Sequence, residues 1–214
     1  MPIPLRTHSF THGAFRAELI APRSPDDLID VSEFNLDERL PYWAELWPSA
    51  RGLAEELLDV PPPEGRVLEL GCGIALPSLA LRSRGVDVIA SDYYGEALEF
   101  AIANAERNGL APLETLLLDW RSTPDGLEPF DLVIAADVLY EKRNAEALAV
   151  LLPRIIAPDG RALFADPGRT YVETFRQLLE ARGWRMEETG RRSVPGPVEG
   201  RDVSIRLLSI RRRP

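Results

Sequence analysis

Glu69, Gly71, Cys72 and Gly73 crowd into one short stretch, and Asp92 closes the next apolar run. The apolar residues before them read as two buried strands, and the segment between reads as a tight glycine turn followed by a helix. A strand that leaves through a glycine turn, and a second strand that ends in a carboxylate, together form the front half of a nucleoside-cofactor site in a doubly wound sheet. Asp92 is then placed to accept both hydroxyls of a ribose. The turn discriminates among cofactors. A dinucleotide fingerprint ends its G-x-G-x-x-G in glycine, whereas Gly71-Cys72-Gly73-Ile74-Ala75-Leu76 ends in leucine. Glu69 would also repel a diphosphate, which prefers bare N–H groups at a helix start. A carboxylate there suits a cofactor bearing positive charge. S-adenosylmethionine carries a sulfonium and an α-amino group, so these residues point to a methyl donor, not a hydride carrier.

The elements that must hold these residues alternate along the chain. Strands are expected over 66–71, 86–91, 113–118, 131–136 and 162–165, with helices over 74–84, 95–108, 142–156 and 171–182 between or after them. Trp47-Pro48-Ser49-Ala50 opens an earlier helix with proline near its first turn, and Pro61-Pro62-Pro63 stops it. Residues 184–188 and 203–211 follow with no helix between them and are expected to pair as an antiparallel hairpin at the sheet edge. The reading is an α/β fold: a doubly wound, mostly parallel seven-stranded sheet with a C-terminal antiparallel hairpin. Residues 1–214 are expected to form one domain, 47–214 its catalytic core. Residues 1–46, punctuated by Pro2, Pro4, Pro22, Pro25 and Pro41, read as an N-terminal lid with a strand within 14–20.

Composition excludes several classes. The chain has 214 residues, an apolar fraction of 45% and a charged fraction of 28%, ordinary for a globular fold. No secretory signal and no membrane-spanning run are visible, and a single cysteine rules out an internal disulfide framework. A cytoplasmic monomer is the expectation. The net charge of −9 disfavours a large phosphate-backbone footprint, so nucleic acid is not the expected partner. From Arg182 onward nine arginines face four acids, a net +5. That basic tail reads either as a contact surface or as a guarded edge strand. His8 and His12 have helical spacing in a segment that does not look helical, and no metal site is expected.

Over residues 42–182 the chain resembles the class I, seven-strand S-adenosylmethionine-dependent methyltransferases, and within them the protein-lysine methyltransferases that include the electron-transfer-flavoprotein β-subunit enzyme. The resemblance rests on Tyr42-Trp43-Ala44-Glu45-Leu46-Trp47-Pro48, the 68–73 turn, Asp119-Trp120, and Ala135-Ala136-Asp137-Val138-Leu139-Tyr140. It implies that Trp47 packs against the cofactor, that Trp120 lies on adenine beside Asp119, with Tyr93 a further wall, and that Ala136 touches the donor. The acid-x-x-aromatic sequence implies that Asp137 and Tyr140 hold the incoming nitrogen. Plainer readings make Asp137 a helix cap with Tyr140 as packing, and Trp120 a strand-end plug. Amide and exocyclic-base methyltransferases typically carry N-P-P-aromatic at this place, so a DNA adenine or glutamine target is disfavoured. Asp166-Pro167-Gly168-Arg169 makes a tight turn on the rim, with Arg169 a substrate contact. The resemblance implies N-methylation of a protein lysine. A small-molecule amine or pyridine is the alternative acceptor, and an idle methyltransferase fold serving as a binding module is the third reading.

Overall fold

A computed structural model describes residues 4–24, 41–122, 124 and 126–213. Their strands are β1 (Leu5–His12), β2 (Phe15–Pro22), β3 (Val67–Leu70), β4 (Val88–Asp92), β5 (Glu114–Leu117), β6 (Phe130–Ala136), β7 (Ile156–Asp166), β8 (Trp184–Pro195) and β9 (Asp202–Arg212). The helices are α1 (Pro48–Asp59), α2 (Leu76–Arg82), α3 (Gly95–Arg107), α4 (Lys142–Ile155) and α5 (Val172–Glu180). β3 to β9 form one seven-stranded sheet in the order β5-β4-β3-β6-β7-β9-β8. Pairing is parallel from β5 through β7 and antiparallel for β7 with β9 and β9 with β8. The fold class expected from the sequence is the one observed.

Central strands are apolar on both sides because both sides are covered. All four residues of β3 are buried. Val67 joins a cluster with Leu132 and Ile134 of β6, Leu53 and Leu57 of α1, Leu76 and Leu79 of α2, and Ala101 of α3. Leu68 and Leu70 point the other way, into a cluster with Val133, Ala135, Leu148 and Leu152 of α4, and Phe175 of α5. The sheet reverses its winding direction between β3 and β6, and the carboxyl ends of those strands with β4 and β5 leave a crevice there.

The C-terminal hairpin lies at the sheet edge as expected: β9 pairs with β7, and β8 is outermost. Leu207 and Leu208 bury opposite faces of β9, whereas β8 buries Trp184, Met186 and Val194 and exposes Arg185 and Arg191, which make it unattractive to a further strand. Both strands run longer than expected, because the 190–203 segment continues the pairing. The helix expected over 74–84 starts only at Leu76, because Ala75 is left-handed (φ 66°) and belongs to the turn. At the N-terminus the single strand expected within 14–20 is one arm of a separate hairpin, β1–β2, since Phe10, Ala17, Leu19 and Ala21 all point inward. That hairpin packs on α3 and α1. Part of the segment read as a lid, residues 25–40, lies outside the described residues. No described helix is long and apolar enough to cross a membrane.

Candidate active site

The glycine turn after β3 is locked by side chains from both neighbouring strands. Gly71 and Gly73 have positive φ (63° and 52°), a backbone that disfavours any other residue. A β-carbon on Gly73 would sit 2.9 Å from the Trp43 carbonyl oxygen, and one on Gly71 would press on the Trp120 ring at 3.2 Å. The Gly73 N–H donates to Asp92 Oδ2 (2.9 Å) and the Tyr94 N–H to Asp92 Oδ1 (3.1 Å), so Asp92 ties the turns after β3 and β4 together. Glu69 is buried, and its Oε2 accepts the Ser78 N–H (3.0 Å) and the Ser78 hydroxyl. Burial outweighs those bonds and pushes its carboxyl up to about 8. A cation in the cleft would draw it back to the ionised form. Burial also drives the Cys72 thiol upward, so Cys72 is no thiolate nucleophile.

A second group lines the side under β5. Both oxygens of Asp119 are held by the Arg121 guanidinium at 2.8–3.1 Å, and that guanidinium lies 5.6 Å from the Tyr93 ring centroid. The Trp120 ring covers Gly71, and its Nε1–H is buried with no partner. Asn144, in the first turn of α4, lines the same cleft and also has a buried, unpartnered Nδ2. Buried donors of this kind are rare in native proteins unless a ligand or water meets them.

The third group stands at the mouth. Asp137 follows β6 with a left-handed backbone (φ 59°), and its N–H donates to the Ala165 carbonyl (2.9 Å). Aspartate tolerates that conformation better than most residues. Its Oδ1 accepts Arg169 Nε–H at 2.6 Å and its Oδ2 accepts the Ser49 hydroxyl from α1 at 3.4 Å. Asp166 Oδ1 holds the Gly168 and Arg169 N–H groups (2.6 and 2.7 Å), which aims Arg169 inward. The Arg169 guanidinium also lies 5.7 Å from the Trp47 ring centroid. Tyr42 contacts Trp47 and Tyr140 edge-on, with centroids 6.1 and 5.4 Å apart, and the Trp47 indole N–H donates to the Tyr42 carbonyl (2.9 Å). Asp137 is 6% exposed and Tyr140 38%, a buried acid behind an accessible aromatic wall.

All twelve residues singled out in the sequence, Trp47, Glu69, Gly71, Cys72, Gly73, Asp92, Tyr93, Asp119, Trp120, Ala136, Asp137 and Tyr140, line one open cleft of about 1100 Å³. The sequence reading did not single out Tyr42, Ser49, Arg121 or Asn144. Tyr42 sits inside the aromatic stretch before α1 and Arg121 follows Asp119-Trp120, so both had a local signal. Ser49 and Asn144 are ordinary residues of helical first turns and had none. Arg169, whose rim position would let it contact substrate, pairs with Asp137.

A crevice at the strand reversal, a glycine turn beside β3 and a carboxylate ending β4 define the class I methyltransferase fold. The methyltransferase domain profile matches residues 42–197, and the chain belongs to that family. It is 35% identical over 133 residues to the electron transfer flavoprotein beta subunit lysine methyltransferase of Xenopus laevis, covering 60% of this chain and 53% of that protein. To the histone-arginine methyltransferase METTL23 of the same species it is 31% identical over 112 residues, 49% of this chain and 48% of that one. It spans about half the length of these curated relatives. Among solved structures, the N-methyltransferase NodS of Bradyrhizobium japonicum with S-adenosyl-L-homocysteine superposes at TM-score 0.55, with 20% identity over 74% of this chain and 83% of that one. S-adenosylmethionine is therefore the cofactor of this fold, and the residues present fit it. Two unpartnered donors await acceptor atoms, the glycines admit a close ligand, and Glu69 and Asp92 offer carboxylates to a cation and a ribose.

Proposed function

We propose that the chain methylates a protein lysine side chain, with S-adenosylmethionine bound between the glycine turn and Trp120 and the acceptor amine delivered past Tyr42, Trp47 and Tyr140 to Asp137. The observation that carries this reading is a buried carboxylate at the cleft mouth, framed by three aromatic rings. Aromatic faces attract an approaching alkylammonium. A lysine amine of pKa near 10.4 must shed its proton, which costs about 4–5 kcal/mol at pH 7. Desolvation among the rings lowers that cost. The amine lone pair then forms the N–C bond as the methyl's bond to the sulfonium sulfur breaks, leaving a thioether, and the nitrogen releases one proton to solvent. Asp137 orients the amine, and Tyr140 contributes a wall and a hydroxyl. Asp92 and Glu69 would hold the donor by its ribose and its cationic groups, and the donor would supply an activated methyl. The named activities of the lysine and arginine relatives support a protein acceptor. A cytoplasmic setting belongs to the same reading, in keeping with a sequence whose single cysteine, Cys72, offers no disulfide framework.

Asp137→Asn preserves shape and removes the charge. It is expected to leave S-adenosylhomocysteine affinity within about threefold while methyl transfer falls by at least ~100-fold, the scale of a positioned catalytic group. Calorimetry and transfer of labelled methyl from the donor into lysate protein check the two halves. Label appearing only in small solutes would favour the small-molecule acceptor instead.

A further inference from the structure

We propose that Arg169 is a positioning residue that neutralises Asp137, so that the acceptor amine reaches the cleft uncharged. This rests on the amine-methylation reading above.

A bare buried carboxylate beside the acceptor would work against the reaction. It orients an amine well, yet it favours the ammonium form, which has no lone pair. The structure resolves the conflict by placing a permanent cation on the far side of that carboxylate. Arg169 Nε–H donates to Asp137 Oδ1 at 2.6 Å, and the side chains are 35% and 4% exposed. A guanidinium stays protonated at any working pH, and contact with Asp137 tightens its hold on the proton further. Oδ2 meets only the Ser49 hydroxyl, at 3.4 Å, so it retains a lone pair with which to accept an N–H from a neutral amine.

The same cleft also holds Glu45, paired with Arg6, and Glu141, paired with Arg143. Ser49 reaches in from α1, Asp166 from the end of β7, and Tyr140 from the segment after Asp137 itself. Burial holds the Asp166 carboxyl above the ordinary carboxylate range, which makes it the weaker counter-ion to Arg169. Its direct bonds are instead to the backbone, fixing the turn that delivers the guanidinium. Trp47 closes the remaining side, its ring 5.7 Å from the Arg169 guanidinium carbon. The arginine is thus oriented from three directions and is not a mobile rim residue.

The test measures labelled methyl transfer into lysate protein from pH 6 to 10, for the wild type, Arg169→Gln and Arg169→Lys. S-adenosylhomocysteine affinity and cooperative melting serve as controls of cofactor binding and fold. In Arg169→Gln the exposed charge of Asp137 should favour the ammonium, moving the acidic limb of the rate profile up by about one pH unit. The rate at pH 7 then falls ~10-fold while the rate near pH 10 returns to within about threefold of wild type. Arg169→Lys keeps the charge, so its limb should coincide with that of the wild type. An Arg169→Gln profile lowered by one factor at every pH marks a merely structural arginine and overturns the inference, as does a limb that stays or moves down. Should Arg169→Gln fail to melt cooperatively, Arg169→Lys decides alone: an upward-shifted limb there overturns the inference. No label in protein with the wild type overturns the lysine reading and this inference together. Label with the wild type but no displaced limb overturns this inference only.

Discussion

Glu69 is a carboxyl with almost no access to water, so its ionisation is a matter of folding free energy. Its pKa is raised from 4.5 to about 8, with burial as the first cause. A raised carboxyl contributes stability that is complete below the unfolded value and is lost as pH rises through the folded one. The wild type should therefore lose stability relative to Glu69→Gln between pH 4.5 and 8, by a few kcal/mol at most. Denaturant unfolding of both proteins at pH 5 and pH 8 measures the difference, and a constant gap would show that Glu69 is ionised in the empty cleft. The same scale separates what was legible from what was not. Asp119 and Arg121 stand two residues apart and pair through a local turn. Asp137 and Arg169 are thirty-two residues apart, and only the parallel pairing of β6 with β7 brings their loops together.

Among the elements, the β1–β2 hairpin is fastened to the sheet layer by Asn104 of α3 and by Asn108, the residue that caps its C-terminus. Asn104 is fully buried; its Oδ1 accepts the Ile20 N–H (2.7 Å), and its Nδ2 donates to the carbonyls of Ile20 (3.1 Å) and Ile74 (3.2 Å). Asn108 repeats the pairing with Glu18 in both directions. Asn104 thus mimics one more strand residue beside β2 and also holds the end of the glycine turn at Ile74. Asn104→Leu leaves those backbone groups unpaired in an apolar setting, and a loss of about 2–4 kcal/mol is expected. Asn108→Leu, one turn further on and partly exposed, should lose about 1 kcal/mol. Urea unfolding of the two variants tests the ranking, and equal losses would mean that the hairpin is not anchored through Asn104. Periodicity could not announce these asparagines, since an Asn on a helix face reads as surface until something packs on it.

At the scale of the whole molecule, a ligand that binds only the folded chain raises its stability by mass action. S-adenosylhomocysteine at a hundred times its dissociation constant should add about 2.7 kcal/mol, and NAD nothing; differential scanning calorimetry with each compound reads the difference. The basic tail is likewise an affair of the whole fold. Arg192 of β8 pairs with Glu56 and Asp59 of α1, while Arg191 and Arg206 share Glu188, so these arginines are largely spent on the protein's own acids. The sequence by itself determined the alternating fold, the strand that ends in Asp92, the glycine turn and the twelve residues gathered in the cleft. The fold, the turn and Asp92 depend on local patterns of hydrophobic period and turn chemistry, while Trp47, Tyr93, Asp119, Trp120, Ala136, Asp137 and Tyr140 were read from short motifs through the family resemblance. Only the tertiary structure decided that β9 and not β8 pairs with β7, that Asn104 carries the hairpin, and that Arg169 meets Asp137. Those outcomes depend on which segments, distant in the chain, share one volume, and burial then sets the strength of every charge and hydrogen bond within it.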